Sequence, residues 1–300
     1  MVYTDNHLIT LNSTDATLLN STSLSNVFFN FKGLLKDDVN ILRSYITVLN
    51  AQIPVSFYVI DATNNTLGIV KFGNQFFITI PIGNYNSSTL ITALNTALIN
   101  VSFTDITITI NSINGILSFS TTSSQAYTIY SNANGSTIGT ILGIGTSNIT
   151  FNNSSGTIAL PYPLDLLGKT QLKINSTKLA NVAYTSYGNG FSSTIASIPV
   201  NVPPYSLIQY ITSVEQQKNF LTNRVLDGID IQILDQNNQF INFNNVPWTI
   251  TLVLTIERMD ANKFHIQSFD NYLGNDQPIQ PLETELNAPE QDKDLEFLQS

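Results

Sequence analysis

From residue 248 to 257 the chain alternates with period two. Trp248, Ile250, Leu252, Leu254 and Ile256 form one set of positions, and Thr249, Thr251, Thr255 and Glu257 the other. Successive side chains of an extended strand point to opposite faces, so this segment reads as a strand with one face in a core and the other toward water. A second layer must cover the apolar face. Other stretches supply candidates for it. Ile106, Ile108 and Ile110 alternate with Thr107 and Thr109, and Asn114-Gly115 offers a tight-turn pair with positive φ before 116–120, which predicts a hairpin. Further strands are expected at 27–31 and at 45–58, where Pro54 marks an edge, a bulge or a bend. A pair is expected at 68–72 and 76–80 about Gly73-Asn74, followed by 171–175, 195–202, 207–212, 229–234 and 239–243.

One segment departs from this pattern. Asn86 or Ser87 can cap a helix whose Leu90, Ile91, Leu94 and Leu98 share one stripe, ending near Asn100. Many short strands, one amphipathic helix and loops of Gly, Asn and Pro predict an all-β chain: a single jelly-roll β-sandwich with an inserted β-rich subdomain carrying the helix. The expected organisation is an irregular N-terminal arm at 1–25, the jelly roll at 26–263 with its insertion at about 62–160, and an acidic flexible C-terminal tail at 264–300. Residues 131–157 are rich in Gly, Ser and Asn and read mostly as loop, with 138–144 the part expected to pack.

Composition narrows the chemistry. The chain has no cysteine, which removes disulfides, thiolate nucleophiles and zinc sites that need sulfur. His7 and His265 are its only histidines, so a triad or multi-histidine metal centre has little to build on. Charged residues make up 11% of the chain, and none falls between 106 and 164. An uncharged polar surface suits close subunit packing, because few ions lose their water on contact. Codon bias toward Ile and Asn gives the same composition. The net charge of -9 comes largely from the segment after Phe264, where eight carboxylates face Lys293 alone. No basic face is evident, so no direct nucleic-acid contact is expected. No secretory signal and no membrane span are read in the chain.

Four features invite sharper readings. Asp227 and Asp230 stand three apart, as a search for paired catalytic carboxylates would want, but an odd separation on a strand sets them on opposite faces, and turn or strand-entry roles are expected. Residues 235–239 lack the spaced ligands of a calcium loop and read as a turn. Trp248 opens a buried-face pattern and is expected in the core rather than as a ligand platform. The run 141–145, which looks like a maturation-protease cleavage consensus, is expected to serve packing and turns instead.

Several segments in order resemble the penton (vertex) proteins of virophages and Polinton-like viruses. They are Gln52-Ile53-Pro54-Val55-Ser56-Phe57-Tyr58 after a long strand, Ile80-Pro81-Ile82-Gly83-Asn84-Tyr85 leading into the helix, Ile141-Leu142-Gly143-Ile144-Gly145, residues 161–168, and Asp227-Gly228-Ile229-Asp230-Ile231-Gln232-Ile233-Leu234-Asp235, with Trp248-Thr249-Ile250-Thr251-Leu252 to close. The resemblance spans about 26–257. It implies a structural, non-enzymatic minor capsid protein of the virion, assembled inside the host cell, that forms a homopentamer at icosahedral vertices. It further implies double jelly-roll major capsid proteins and other minor capsid proteins as neighbours, with an insertion decorating the outside. It carries over no catalytic, cofactor-binding or metal-binding residues and no cofactor. The acidic tail is not a feature of the resemblance. Two other classes stay open: a receptor- or glycan-binding β-sandwich on a virion surface, and a jelly-roll carbohydrate-active enzyme that would use Asp227 or Asp230.

Overall fold

The computed structural model describes residues 2–19, 23–179, 183–185 and 190–259. The chain begins with β1 (Val2–Asn12), β2 (Thr17–Leu18), β3 (Asn26–Leu35) and β4 (Ile41–Pro54). A long excursion follows through β5 (Thr66–Lys71), β6 (Asn74–Thr79), α1 (Ser87–Asn100), β7 (Ile106–Ile110), β8 (Ile116–Thr121), β9 (Tyr127–Ile129), α2 (Gly139–Leu142), β10 (Ile149–Phe151) and β11 (Ile158–Pro163). It returns through β12 (Gln171–Asn175), β13 (Ala183–Thr185), β14 (Gly190–Ser192), β15 (Thr194–Pro199), β16 (Leu207–Ile211), β17 (Asn219–Phe220), β18 (Leu226–Leu234) and β19 (Thr249–Met259).

One sheet runs β1-β19-β4-β16, with β17 also on β4; the other runs β15-β12-β18-β3-β2. Setting aside the two-residue strands β2 and β17, eight strands remain, and they pair first with last. β1 takes β19, β3 takes β18, β4 takes β16 and β12 takes β15, all antiparallel. Nested pairing of this kind is a long hairpin rolled on itself, with successive pairs dealt alternately to two sheets, which is the jelly roll. Between the sheets lie Ile250, Leu252 and Leu254 from β19, Ile46 and Val48 from β4, and Ile229, Ile231 and Ile233 from β18, all fully buried. Each such side chain contributes at most about 1.5–3 kcal/mol of burial. Trp248 is 1% exposed and packs edge-on against Phe29. Its indole N–H donates to the Leu24 carbonyl (2.8 Å) and its backbone N–H to Ser13 Oγ (2.9 Å), so it is a core anchor that fastens the connections flanking β2 to the start of β19.

The first residues correct the sequence reading. In place of an irregular arm, β1 pairs residue for residue with β19, from Val2 opposite Met259 to Asn12 opposite Thr249. Ile9 and Leu11 point inward, 5% and 0% exposed, while Thr10 and Asn12 point out. That alternation lasts only four residues before Asn, Ser and Thr take over, which is why the strand is hard to see. Residues 239–243 are not a strand either. Asp235 folds the turn there, accepting the amides of Asn237 and Gln239, and only a single bridge joins Leu234 to Phe240. At the β7–β8 hairpin only Gly115 takes positive φ (70°), and the first cross-strand pair is Ile110 with Leu117, so the loop is longer than a two-residue turn.

The excursion between β4 and β12 builds its own sheets, β10-β9-β5-β6 and β11-β8-β7. A second apolar cluster there runs from Ile60 to Leu160, separate from the one between the sandwich sheets. Helix α1 has Asn86 as cap: its Oδ1 accepts the Thr89 amide (2.9 Å), and Thr89 Oγ1 accepts the Asn86 amide (3.0 Å). Leu90, Leu94 and Leu98 are buried and Ile91 half-buried, as the stripe requires. Asn95 pairs with both the N–H and the C=O of Ile108 at 3.0 Å, standing in for a neighbouring strand at the β7 edge. In the 141–145 run Ile144 is buried and Gly143 (φ 80°) ends α2; a Cβ there would lie 2.2 Å from the Tyr162 carbonyl oxygen, so only glycine fits. The acidic segment 264–300, including His265, lies outside the described residues.

Candidate assembly surface

Because β1, β19, β4 and β16 are in register, their outward residues line up across the sheet. Asn12, Thr249, Gln52 and Gln209 form one row, and Thr10, Thr251, Asn50 and Ile211 the next. Leu8, Val253 and Thr47 make a third, while Leu207 and Pro54 extend the face on the other side. None of these residues carries a charge. Leu8 is 66% exposed, Ile211 73% and Leu207 43%. The third row is partly roofed: Thr47 Oγ1 donates to the Gln217 carbonyl (2.6 Å), and Thr47 and Val253 are buried. The open area is therefore the first two rows with Leu8 and Leu207 at its corners.

Charge is gathered at the far end of the same strands. Arg258 reaches Asp5 on β1 (3.0 Å) and also bonds Asp38 in the β3–β4 connection, so three segments are tied together there. Arg43 and Glu257 are opposed in the β4–β19 register at the same end. Beside β16, Tyr205 is 76% exposed and held at φ 65°, with its amide bonded to the Val55 carbonyl (2.9 Å). A bulky residue in that region stores about 1–3 kcal/mol of strain, and here the strained residue is an outward-facing aromatic.

Two sheet edges flank the face. Among the described residues β1 pairs only with β19 and β16 only with β4, so each offers a row of unpaired backbone groups. The eleven residues of β1 include one carboxylate, Asp5, and no Lys or Pro, the residues that usually blunt an edge. Covering amides and hydroxyls costs far less than covering ions, and unpaired edges add backbone hydrogen bonds to a partner. This surface is chemically suited to contact with another protein.

The carboxylates considered for catalysis are not brought together. Asp227 is exposed beside a register shift in β18. Asp230 is 5% exposed and saturated: Oδ1 accepts Ser176 Oγ (2.7 Å) and the Lys178 amide (3.0 Å), and Oδ2 accepts the Thr177 amide (2.9 Å) and hydroxyl (2.7 Å). Burial pushes its pKa up, but these donors outweigh it and hold the carboxyl below its ordinary value. Asp230 is thus the clasp of the turn after β12. Among the described residues no group of three or more His, Asp or Glu is placed to hold a metal, and no helix is long and apolar enough to cross a membrane. The sequence hides this surface because β1, one of its four strands, reads as an arm; the inward Ile9 and Leu11 against outward Thr10 and Asn12 are the signal that finds it.

No protein-family model matches the chain, and no curated protein matches it. Among solved structures, it is similar to the mavirus penton protein at 11% identity and a TM-score of 0.44, covering 83% of this chain and 99% of that one. It is similar to a chain of the Sputnik virophage at 14% identity and a TM-score of 0.41, over 84% and 97% of the two chains. VP17, a capsid protein of bacteriophage P23-77, matches at 10% identity and a TM-score of 0.20, over 86% and 100%. At these scores the likenesses are loose, and the jelly-roll assignment stands on the strand order itself.

Proposed function

We propose that this chain is a non-enzymatic structural subunit of a viral capsid, and that it forms homopentamers closing the fivefold vertices. The observation that carries the reading is the uncharged part of the outer face of the β1-β19-β4-β16 sheet, the two rows from Asn12 to Gln209 and from Thr10 to Ile211, flanked by two unpaired edges. A subunit that tiles with its copies loses little hydration by covering such a face, because no ion has to give up its water. The ordered motifs that resemble penton proteins supply the vertex and the fivefold ring. Under this reading the flanks of the jelly roll meet neighbouring copies and double jelly-roll major capsid proteins, while the excursion between β4 and β12 is a separate unit on the outside of the shell. The acidic segment after Phe264 has no assigned part.

Negative-stain microscopy and sedimentation velocity of the purified full chain, and of virions, test it. Rings of five are expected. A chain that stays monomeric at every concentration and is absent from virions sinks the proposal.

A further inference from the structure

Where the excursion joins the sandwich, a cleft of about 620 Å³ opens, within the range of about 300–1,000 Å³ typical of small-ligand sites. Four separate stretches wall it: Tyr58 and Asp61 after β4, Ile141 of α2, Asp165 and Lys169 before β12, and Gln239 and Phe240 after β18. The walls are held in place. Asp235 accepts the Asn237 and Gln239 amides (2.8 and 2.9 Å), which fixes the turn leading to Gln239 and Phe240. Gln236 bridges to the Gly168 carbonyl (3.0 Å) and the Thr170 amide (3.3 Å), which ties the two sides of the cleft together.

The charges exclude an anion. Lys169 is already committed, its Nζ 3.4 Å from Asp61 Oδ2. An anion would therefore meet Asp61, Asp165 and Asp235 with no free counter-charge. A wholly apolar ligand would strand amides and carboxylates without partners. A neutral polyhydroxylated ligand satisfies both kinds of wall. The half-buried Tyr58 and the 47% exposed Phe240 put aromatic surface into the lining for its C–H groups. The planar Asp165 and Gln239 side chains offer acceptors and donors to its hydroxyls. We infer that this cleft binds a neutral oligosaccharide. The inference goes beyond the capsid reading and does not depend on it.

The test is an array of neutral and sialylated glycans probed with the purified full chain, followed by calorimetric titration of the strongest neutral ligand. Neutral glycans are expected to bind, and Tyr58→Ala, Phe240→Ala and Asp165→Asn each to weaken that binding by about tenfold or more. Phe240 and Asp165 are exposed, so their variants should keep the parent melting temperature and remain informative if Tyr58→Ala fails to fold. The inference is overturned if the folded chain retains no neutral glycan, retains only sialylated ones, or binds neutral glycans equally well after the two exposed substitutions. Sedimentation on the same samples reads assembly separately, so rings without glycan binding would overturn this inference alone.

Discussion

The two outer faces of the sandwich are built from strands of similar length and alternation, yet they end differently. On the β15-β12-β18-β3 sheet the outward residues include Asp230, Lys173, Asn175 and Asn26, and the chain itself satisfies most of them. Asp230 is wrapped by residues 176–178, Asn175 takes the Thr194 hydroxyl (2.8 Å), and Lys173 Nζ bonds the Gln236 carbonyl (3.1 Å) and Asn238 Oδ1 (3.0 Å). On the β1-β19-β4-β16 sheet the outward rows away from the Arg43–Glu257 end are amides, hydroxyls and aliphatics, and the corners are exposed. The first face is finished by its own loops; the second stays open to solvent along its two uncharged rows. A strand pattern alone makes both, so the distinction lies in which polar groups are placed outward and whether a loop returns to meet them.

The comparison breaks most visibly if charge is added to each face in turn. Ile211→Lys puts an ammonium on the open face at a site 73% exposed, so folding stability should move by no more than about 0.5 kcal/mol. In an assembled ring that charge is buried without a partner, at a cost of about 3 kcal/mol or more, which weakens association by roughly 100-fold or more. Ser197→Lys, at an exposed position of the other sheet, should leave the sedimentation profile unchanged. Equal effects from the two substitutions would erase the difference between the faces. Next in size is Asp230→Ala. It leaves four donors around residues 176–178 without their acceptor, and urea unfolding should show a loss of about 3 kcal/mol while any surviving folded protein assembles as before.

Most of the jelly roll was legible because its strands are long enough to show their period. Residues 248–257 and the helix stripe on Leu90, Leu94 and Leu98 are set by local alternation, and the structure keeps both. What escaped was set by distance. β1 is a strand because β19, more than 230 residues away, holds it in register, and its own four-residue alternation is too short to stand out. Residues 239–243 failed for the opposite reason: their apolar pattern is strand-like, but Asp235 turns the chain so tightly that only one bridge forms. The clasp on Asp230 is set by distance as well: its four donors lie more than fifty residues upstream, and no spacing rule points to them. The open face could not be read at all until the register aligned four strands from both ends of the chain.

A pH series sharpens the account of the finished face. The folded pKa of Asp230 is depressed, so its contribution is fully present above the ordinary carboxyl value of about 3.9 and is lost as pH falls through the lower folded value. Unfolding free energies of the parent and Asp230→Asn, measured from pH 6 downward, should converge as the pH falls. A gap that stays constant or widens would mean that the charge of the carboxylate is not what closes the 176–178 turn.

The smallest effect separates charge from coverage. Lys173→Met keeps the aliphatic stem but removes the donor to Gln236 and Asn238, and should cost about 1 kcal/mol in urea unfolding. It also makes the outward row of Leu234, Lys173 and Ser197 uncharged, like the rows of the open face. If absence of charge were sufficient for association, this variant would form new oligomers through the second sheet. If an open surface with unpaired edges is also required, sedimentation stays as in the parent, because the loops that cover this sheet are still in place; that is the expected result.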